Sequence, residues 1–198
     1  MALSPTAVHD TAESVLGCVC RALQDQAGKV PGALGCPCRS CVVPGQPAWD
    51  SCDDPCGADP TDAGGQLSVS VVRMYPSALD VFPGERQQVF GTRACTLPQL
   101  TAVELLVTLL RCAPGPTEDA CPPTCEELAA AAVILHTDMT TVYNALLCCF
   151  PTTSLRRRGQ LFAVGQARTV GPQGGCVGLE QRITVALNAC NCPDEEEP

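Results

Sequence analysis

Residues 103–110 form the segment that most constrains the fold. Side chains alternate between the two faces of an extended chain, and here both sets are largely apolar: Val103, Leu105, Val107 and Leu109 on one face, and Glu104, Leu106, Thr108 and Leu110 on the other. A strand that is apolar on both faces must lie inside a sheet whose two sides are covered. The segment therefore predicts a central strand, covered by helices or by another subunit.

Two helices are predicted. Residues 6–26 repeat apolar side chains at helical spacing, with Pro5 suited to the first turn and Gly28 to the stop. Thr124 and Glu127 have the spacing of a capping box and open a second helix that continues towards Pro151. This helix either reaches about 25 residues, close to 37 Å at 1.5 Å per residue, or breaks near residues 137–141.

The other apolar segments predict strands. Residues 67–72 alternate with period two and are predicted to end at the pair Tyr75-Pro76, and a short strand is expected around residues 41–43. The last quarter of the chain predicts an antiparallel hairpin, with strands over 161–165 and 179–187. The expected fold class is α+β, with a mainly antiparallel sheet flanked by an N-terminal helix and a long central helix.

A chain of 198 residues is long enough for one sizeable core. We expect a single α+β domain over residues 1–192, with an irregular cysteine-rich insertion at 27–65 and a disordered acidic tail at 193–198. Neither a secretory signal pattern nor an apolar run of about 18 residues occurs, so we expect synthesis in a cytosol and no membrane partner.

Sixteen of the 198 residues are cysteine, a fraction more typical of short secreted scaffolds. Cys38-x-x-Cys41 followed by Cys52-x-x-x-Cys56, with Cys36 close by, roughly meets the spacing of a structural zinc site, which needs four soft ligands. Disulfides formed after the protein leaves the cytosol explain the same residues equally well. Reduced thiols packed as small apolar side chains are the third alternative.

Enzymatic function is poorly supported. The chain has two histidines, His9 and His136, and no nucleophile-elbow, P-loop, zinc-protease or dinucleotide-binding motif. A thiol redox enzyme is disfavoured because no C-x-x-C follows a strand in a βαβ context. A net charge of −9 disfavours nucleic-acid binding, and three arginines at residues 156–158 are best explained as a solvated loop. We expect no catalytic residue.

Four segments together resemble a known family. They read PAWDSC at 47–52, GQLSVSVVRMYP at 65–76, ELLVTLLRCAP at 104–114, and GPQGGCVG at 171–178 leading into RITV. In order and character, between about residues 11 and 192, the chain resembles the cysteine-rich tail-terminator or head-to-tail connector proteins of long-tailed actinobacterial phages. The bias towards arginine over lysine, eleven to one, is typical of a GC-rich source.

The resemblance implies a structural subunit of the virion neck without an active site. Such a protein assembles as a homo-oligomeric ring, usually a hexamer, that caps the tail tube and joins it to the head connector or stopper protein. Viral DNA passes through the channel without sequence-specific binding, and an acidic chain suits this because like charges repel phosphate. The alternative is a zinc-binding or disulfide-stabilised interaction module with no virion role.

Overall fold

The computed structural model describes residues 3–48, 64–86, 100–116, 121–150 and 161–188. The helices are α1 (Ala7–Gln26) and α2 (Cys125–Asn144), and a π-helical turn (Ala145–Cys149) directly continues α2. The strands are β1 (Arg39–Val43), β2 (Gln66–Ser77), β3 (Leu100–Cys112), β4 (Phe162–Gln173) and β5 (Cys176–Asn188). No helix in the described ranges is long and apolar enough to span a membrane.

The strands form one five-stranded sheet in the order β1-β2-β3-β5-β4. Only the β1–β2 pair is parallel, and the other three pairs are antiparallel. The α+β fold class with a mainly antiparallel sheet is therefore confirmed. β3 occupies the central place that its two apolar faces predicted, and it is buried along almost its whole length.

Both helices pack on the same face of the sheet. One face of β3, with Leu105, Val107 and Leu109, packs in a single core with both helices. α1 contributes Val15, Val19 and Leu23, α2 contributes Val142, and the π-helical turn contributes Leu146. α1 lies mainly over β1 and β2, and α2 mainly over β5 and β4. The two helices therefore cover opposite halves of the sheet.

The second helix begins as predicted. The backbone N–H of Thr124 donates to Oε2 of Glu127 at 2.7 Å, and the N–H of Glu127 donates to Oγ1 of Thr124 at 3.2 Å, which completes the capping box. The helix does not break at residues 137–141. Its last turn widens into the π-helical turn, a feature that the apolar spacing gave no reason to expect.

The prediction that Tyr75-Pro76 ends the second strand is wrong. β2 continues through Pro76, which pairs with Thr101, to Ser77. The reason is the short partner on the other side: β1 pairs only with residues 66–70, so no strand among the described residues pairs with β2 on that side at Pro76. Proline is tolerated there because its missing N–H removes no ladder hydrogen bond.

The hairpin at the end of the chain is confirmed, with a tighter turn than expected. β4 continues to Gln173, which pairs with Cys176, and only Gly174 and Gly175 lie between the strands. Both have positive φ, +56° and +74°, which is the requirement of a two-residue hairpin turn. The predicted insertion at 27–65 contains β1, and the predicted acidic tail at 193–198 lies outside the described residues.

Candidate functional site

A groove of about 610 Å³ separates the end of α1 from the second half of α2. Its lining is mainly apolar in area, and its polar groups come from Asp25 and Gln26 on α1 and from His136, Thr140 and Asn144 on α2. No three His, Cys, Asp or Glu side chains cluster as a metal site in the part of the chain that the structure describes. The groove therefore offers hydrogen-bonding walls but no assembled set of catalytic groups.

Three of the five candidate zinc ligands lie in the described residues, and they differ in oxidation state. Cys36 forms a disulfide with Cys20 of α1, and Cys38 is also disulfide-bonded. Cys41 is an exposed free thiol on β1. Cys52 and Cys56 lie outside the described residues. Because zinc binds thiolates, the oxidised sulfurs of Cys36 and Cys38 are not available as ligands in this state.

Two disulfides attach α1 to the rest of the chain. Cys18 bonds Cys149 in the π-helical turn, with the Cα atoms 5.9 Å apart, and Cys20 bonds Cys36 with the Cα atoms 4.9 Å apart. Residues two apart on a helix point in different directions, so Cys18 and Cys20 reach different partners. This spacing was the available signal, but the identity of the partners requires the fold.

Arg111 and Asp138 form a buried ion pair between the end of β3 and the middle of α2. Nε of Arg111 donates to Oδ2 of Asp138 at 2.7 Å and Nη2 donates to Oδ1 at 3.2 Å, and both side chains are at least 96% buried. Burial raises the pKa of Asp138, and the hydrogen bonds and charge of Arg111 oppose that shift without cancelling it. The pair fixes α2 on the sheet.

The same guanidinium also bonds the cysteine-rich insertion at two points, one on each side of β1. Nη2 of Arg111 donates to the carbonyl oxygen of Gly35 at 2.7 Å, and Nη1 donates to that of Gly64 at 3.2 Å. Gly65 approaches the sheet so closely, with φ of +98°, that a side chain there would collide with the carbonyl oxygen of Leu110. Sequence reasoning missed Arg111, because nothing in its local pattern marks a buried cation.

The face of the sheet opposite the helices carries paired charges. Glu104 accepts hydrogen bonds from Arg73, at 2.7 Å, and from Arg182, and Arg168 donates to Glu180 at 2.7 Å. Burial alone would raise the pKa of Glu104, but the two arginines outweigh burial and hold it below its usual value. An irregularity at residues 71–73 of β2 places Arg73 opposite Glu104.

One side of α2 is exposed along its length and carries no lysine, arginine, aspartate or glutamate. We call this surface the α2 stripe; its residues recur every three or four positions and are Ala129, Val133, His136, Thr140, Tyr143 and Leu147. Val133 is 47% exposed and Tyr143 is 44% exposed. The loop after α1 packs on the same helix: Thr137 donates to the carbonyl oxygen of Pro31 at 3.0 Å, and Gly32 lies against the side chain of Val133.

A second exposed apolar surface lies at the end of β2 and in the turn that follows. We call it the β2-end patch; its residues are Val71, Val72, Met74, Leu79 and Val81. Met74 is 56% exposed and Leu79 is 66% exposed. The patch begins where β1 ends, so this part of β2 has no neighbouring strand on that side among the described residues. The charged residues Arg73 and Asp80 lie among these apolar side chains.

The arginines at residues 156–158 lie outside the described residues. The chain matches no known family model and no curated protein.

Proposed function

We propose that the protein is a structural subunit of a phage neck, a tail terminator that assembles as a ring on the head-proximal end of the tail tube and meets the head connector. The single observation that carries the proposal is the exposure of α2. Its first half reads LAAAAVIL over residues 128–135, yet Leu128 and Val133 are each about half exposed in the single chain. A helix surface this apolar needs a partner.

The charge of the chain supports the same role. The net charge is −9, and on the face opposite the helices Arg73, Arg168 and Arg182 are each engaged by a glutamate. A ring of such subunits repels phosphate, so DNA passes through the channel without being held. Neither capping the tail tube nor lining the DNA channel needs a catalytic group. By this proposal the protein is made in the host cytoplasm and becomes part of the virion.

Native mass spectrometry of the purified protein tests the proposal. We expect a closed ring, a hexamer by the resemblance. In the same spectrum a mass deficit counts the disulfides, and an added mass reveals bound zinc. The gene should be flanked by genes for a tail tube protein, a tape measure and a capsid. When the neighbouring tail tube protein polymerises with this protein present, tubes should stop growing and carry a ring at one end. Tubes of unaltered length with no ring would overturn the proposal.

The alternative function is a disulfide-stabilised interaction module outside the virion. The observation that favours it is the attachment of α1 by Cys18–Cys149 and Cys20–Cys36, which is the strategy of small secreted binding domains. A protein that stays monomeric at all concentrations and leaves tube growth unchanged would support this alternative. A zinc ion found in the reduced protein would favour its metal-binding form.

A further inference from the structure

The loop that follows α1 contacts α2 on its way to β1. We call residues 28–36 of this loop the strap. Thr137 of α2 donates to the carbonyl oxygen of Pro31 at 3.0 Å, and Gly32 lies directly against the backbone of Ile134. A Cβ at Gly32 would come within 3.1 Å of that backbone, so the strap and the helix are closely packed.

The first half of α2 relies on this contact because its own side chains are not buried. From Cys125 to Thr137 every side chain is exposed or half-buried, and the first buried residue of the helix is Asp138. Leu135 packs against the main core from a half-buried position. Since only such partly buried groups attach this half of the helix to the rest of the described chain, the strap contacts weigh heavily in holding it.

The strap is held at its far end by a disulfide and by hydrogen bonds. Cys36 is bonded to Cys20 of α1, and its backbone N–H donates to Oε1 of Gln24 at 3.4 Å. Nη2 of Arg111 donates to the carbonyl oxygen of Gly35 at 2.7 Å. Hydrogen bonds of a loop open and close during local fluctuations, so the covalent bond sets how far the strap can move from α1.

The two disulfides that attach α1 differ in their access to solvent. Cys18, in the bond to Cys149, is fully buried, whereas Cys20 and Cys36 are both partly exposed. A disulfide is reduced when a thiolate attacks one of its sulfurs, so the accessible bond reacts before the buried one. The bond that holds the strap is therefore the first of the two that a reductant cleaves.

We infer that the strap is a redox switch for the first half of α2: the Cys20–Cys36 disulfide holds the strap on the helix, and its reduction releases both. A dithiol supplies the two electrons and two protons. One of its thiolates attacks a sulfur of the disulfide and expels the other cysteine, and its second thiolate then expels the first and closes a cyclic disulfide. Oxidised glutathione reverses the step. This holds whether or not the protein is a neck subunit.

Hydrogen exchange of the full chain, followed by mass spectrometry, tests the switch. Cys20→Ala/Cys36→Ala removes the bond without a reductant, and Cys18→Ala/Cys149→Ala is the matched control because it removes the other disulfide of α1. We expect residues 129–137 to exchange at least about tenfold faster in the first variant than in the oxidised wild type, and within about twofold of the wild type in the control. β3 and β5 should exchange at the wild-type rate in the first variant.

A second pair of variants separates the strap contact from the thiols. Gly32→Ala places a Cβ against the backbone of α2 and leaves the disulfide in place, so residues 129–137 should exchange fast both with and without dithiothreitol. Gly28→Ala is the matched control, because Gly28 also has a positive φ, +68°, but a Cβ there meets nothing within 4 Å. This control should behave as the wild type, with fast exchange only in dithiothreitol.

The switch fails on any of three results. Equal exchange of residues 129–137 in Cys20→Ala/Cys36→Ala and in the oxidised wild type would show that the disulfide does not hold the helix. A rise that extends equally over β3 and β5 would show a general loss of stability instead of a local release. Brief treatment with dithiothreitol, followed by alkylation, should label Cys20 and Cys36 first, and earlier labelling of Cys18 would overturn the selective release.

Discussion

α1 and α2 are both 20 residues long, yet they are held in the subunit in different ways. α1 has six buried residues and two disulfides, whereas α2 has two buried residues, Asp138 and Val142. α1 is therefore stabilised by the chain itself. α2 is held at its middle and at its end, and most of its side chains are at least partly exposed.

The difference teaches that apolar content alone does not tell which helix belongs to the core. α2 is the more apolar helix of the two, but α1 has the amphipathic pattern that matches one buried face. α2 lacks this regular pattern, because residues 128–135 are all apolar whereas residues 136–144 are mostly polar.

The largest expected effect comes from cutting the covalent attachment of α1. Cys149→Ser opens a loop with a sequence separation of 131 and should lower the free energy of unfolding by about 5 kcal/mol, whereas Cys20→Ser opens a separation of 16 and should cost about 3 kcal/mol. Urea unfolding of the oxidised proteins measures both. In excess dithiothreitol the variants and the wild type should converge, and equal losses for the two variants without reductant would contradict the loop-length argument.

Removing the polar attachment of α2 should have the next largest effect. Asp138→Ala leaves Arg111 buried without its carboxylate and should destabilise the fold by about 3–5 kcal/mol. Asp25→Ala, an exposed acid at the end of α1, is the matched control and should change stability by less than about 0.5 kcal/mol. Thermal unfolding compares them, and similar melting temperatures would show that the pair does not hold α2.

Replacing one leucine in each helix by alanine measures the difference in burial between α1 and α2. Leu23→Ala in α1 removes a fully buried side chain and should cost about 2–4 kcal/mol. Leu128→Ala in α2 is half exposed and should cost less than about 0.5 kcal/mol when measured on the unassembled subunit. A large loss for Leu128→Ala at low protein concentration would mean that the first half of α2 packs within its own chain.

The smallest effect concerns the first turns of the helices. Hydrogen bonds from the backbone N–H and hydroxyl of Thr124 lower the pKa of Glu127, so the stability they give is present above the usual value of 4.5 and is lost as the pH falls through the lower folded value. Hydrogen exchange of α2 should therefore rise at its N-terminus in acid. Thr124→Ala, which costs about 1 kcal/mol, should remove most of this pH dependence. At α1 no such change is expected, because Thr6 makes no capping bond.

The elements with strong local patterns were predictable from the sequence. The period-two segment at 103–110 predicted the central strand, and Thr124 with Glu127 predicted the start of α2. Features that depend on distant parts of the chain were not. The end of β2 depends on how short β1 is, and the partners of Cys18 and Cys20 depend on where α2 ends. The role of Arg111 as a buried cation could be recognised only from the structure, which brings Asp138 and the carbonyl oxygens of Gly35 and Gly64 to its guanidinium.

The hydrogen bonds from Arg111 to the carbonyl oxygens of Gly35 and Gly64 bear on where the chain tolerates added residues. Since one guanidinium bonds the chain on both sides of β1, that strand stays in the sheet when the exposed turn directly after it changes length. Doubling such a loop adds only about 0.6 kcal/mol of closure entropy. Residues 44–46, which follow β1 and are at least partly exposed, are thus the natural place to graft a foreign peptide.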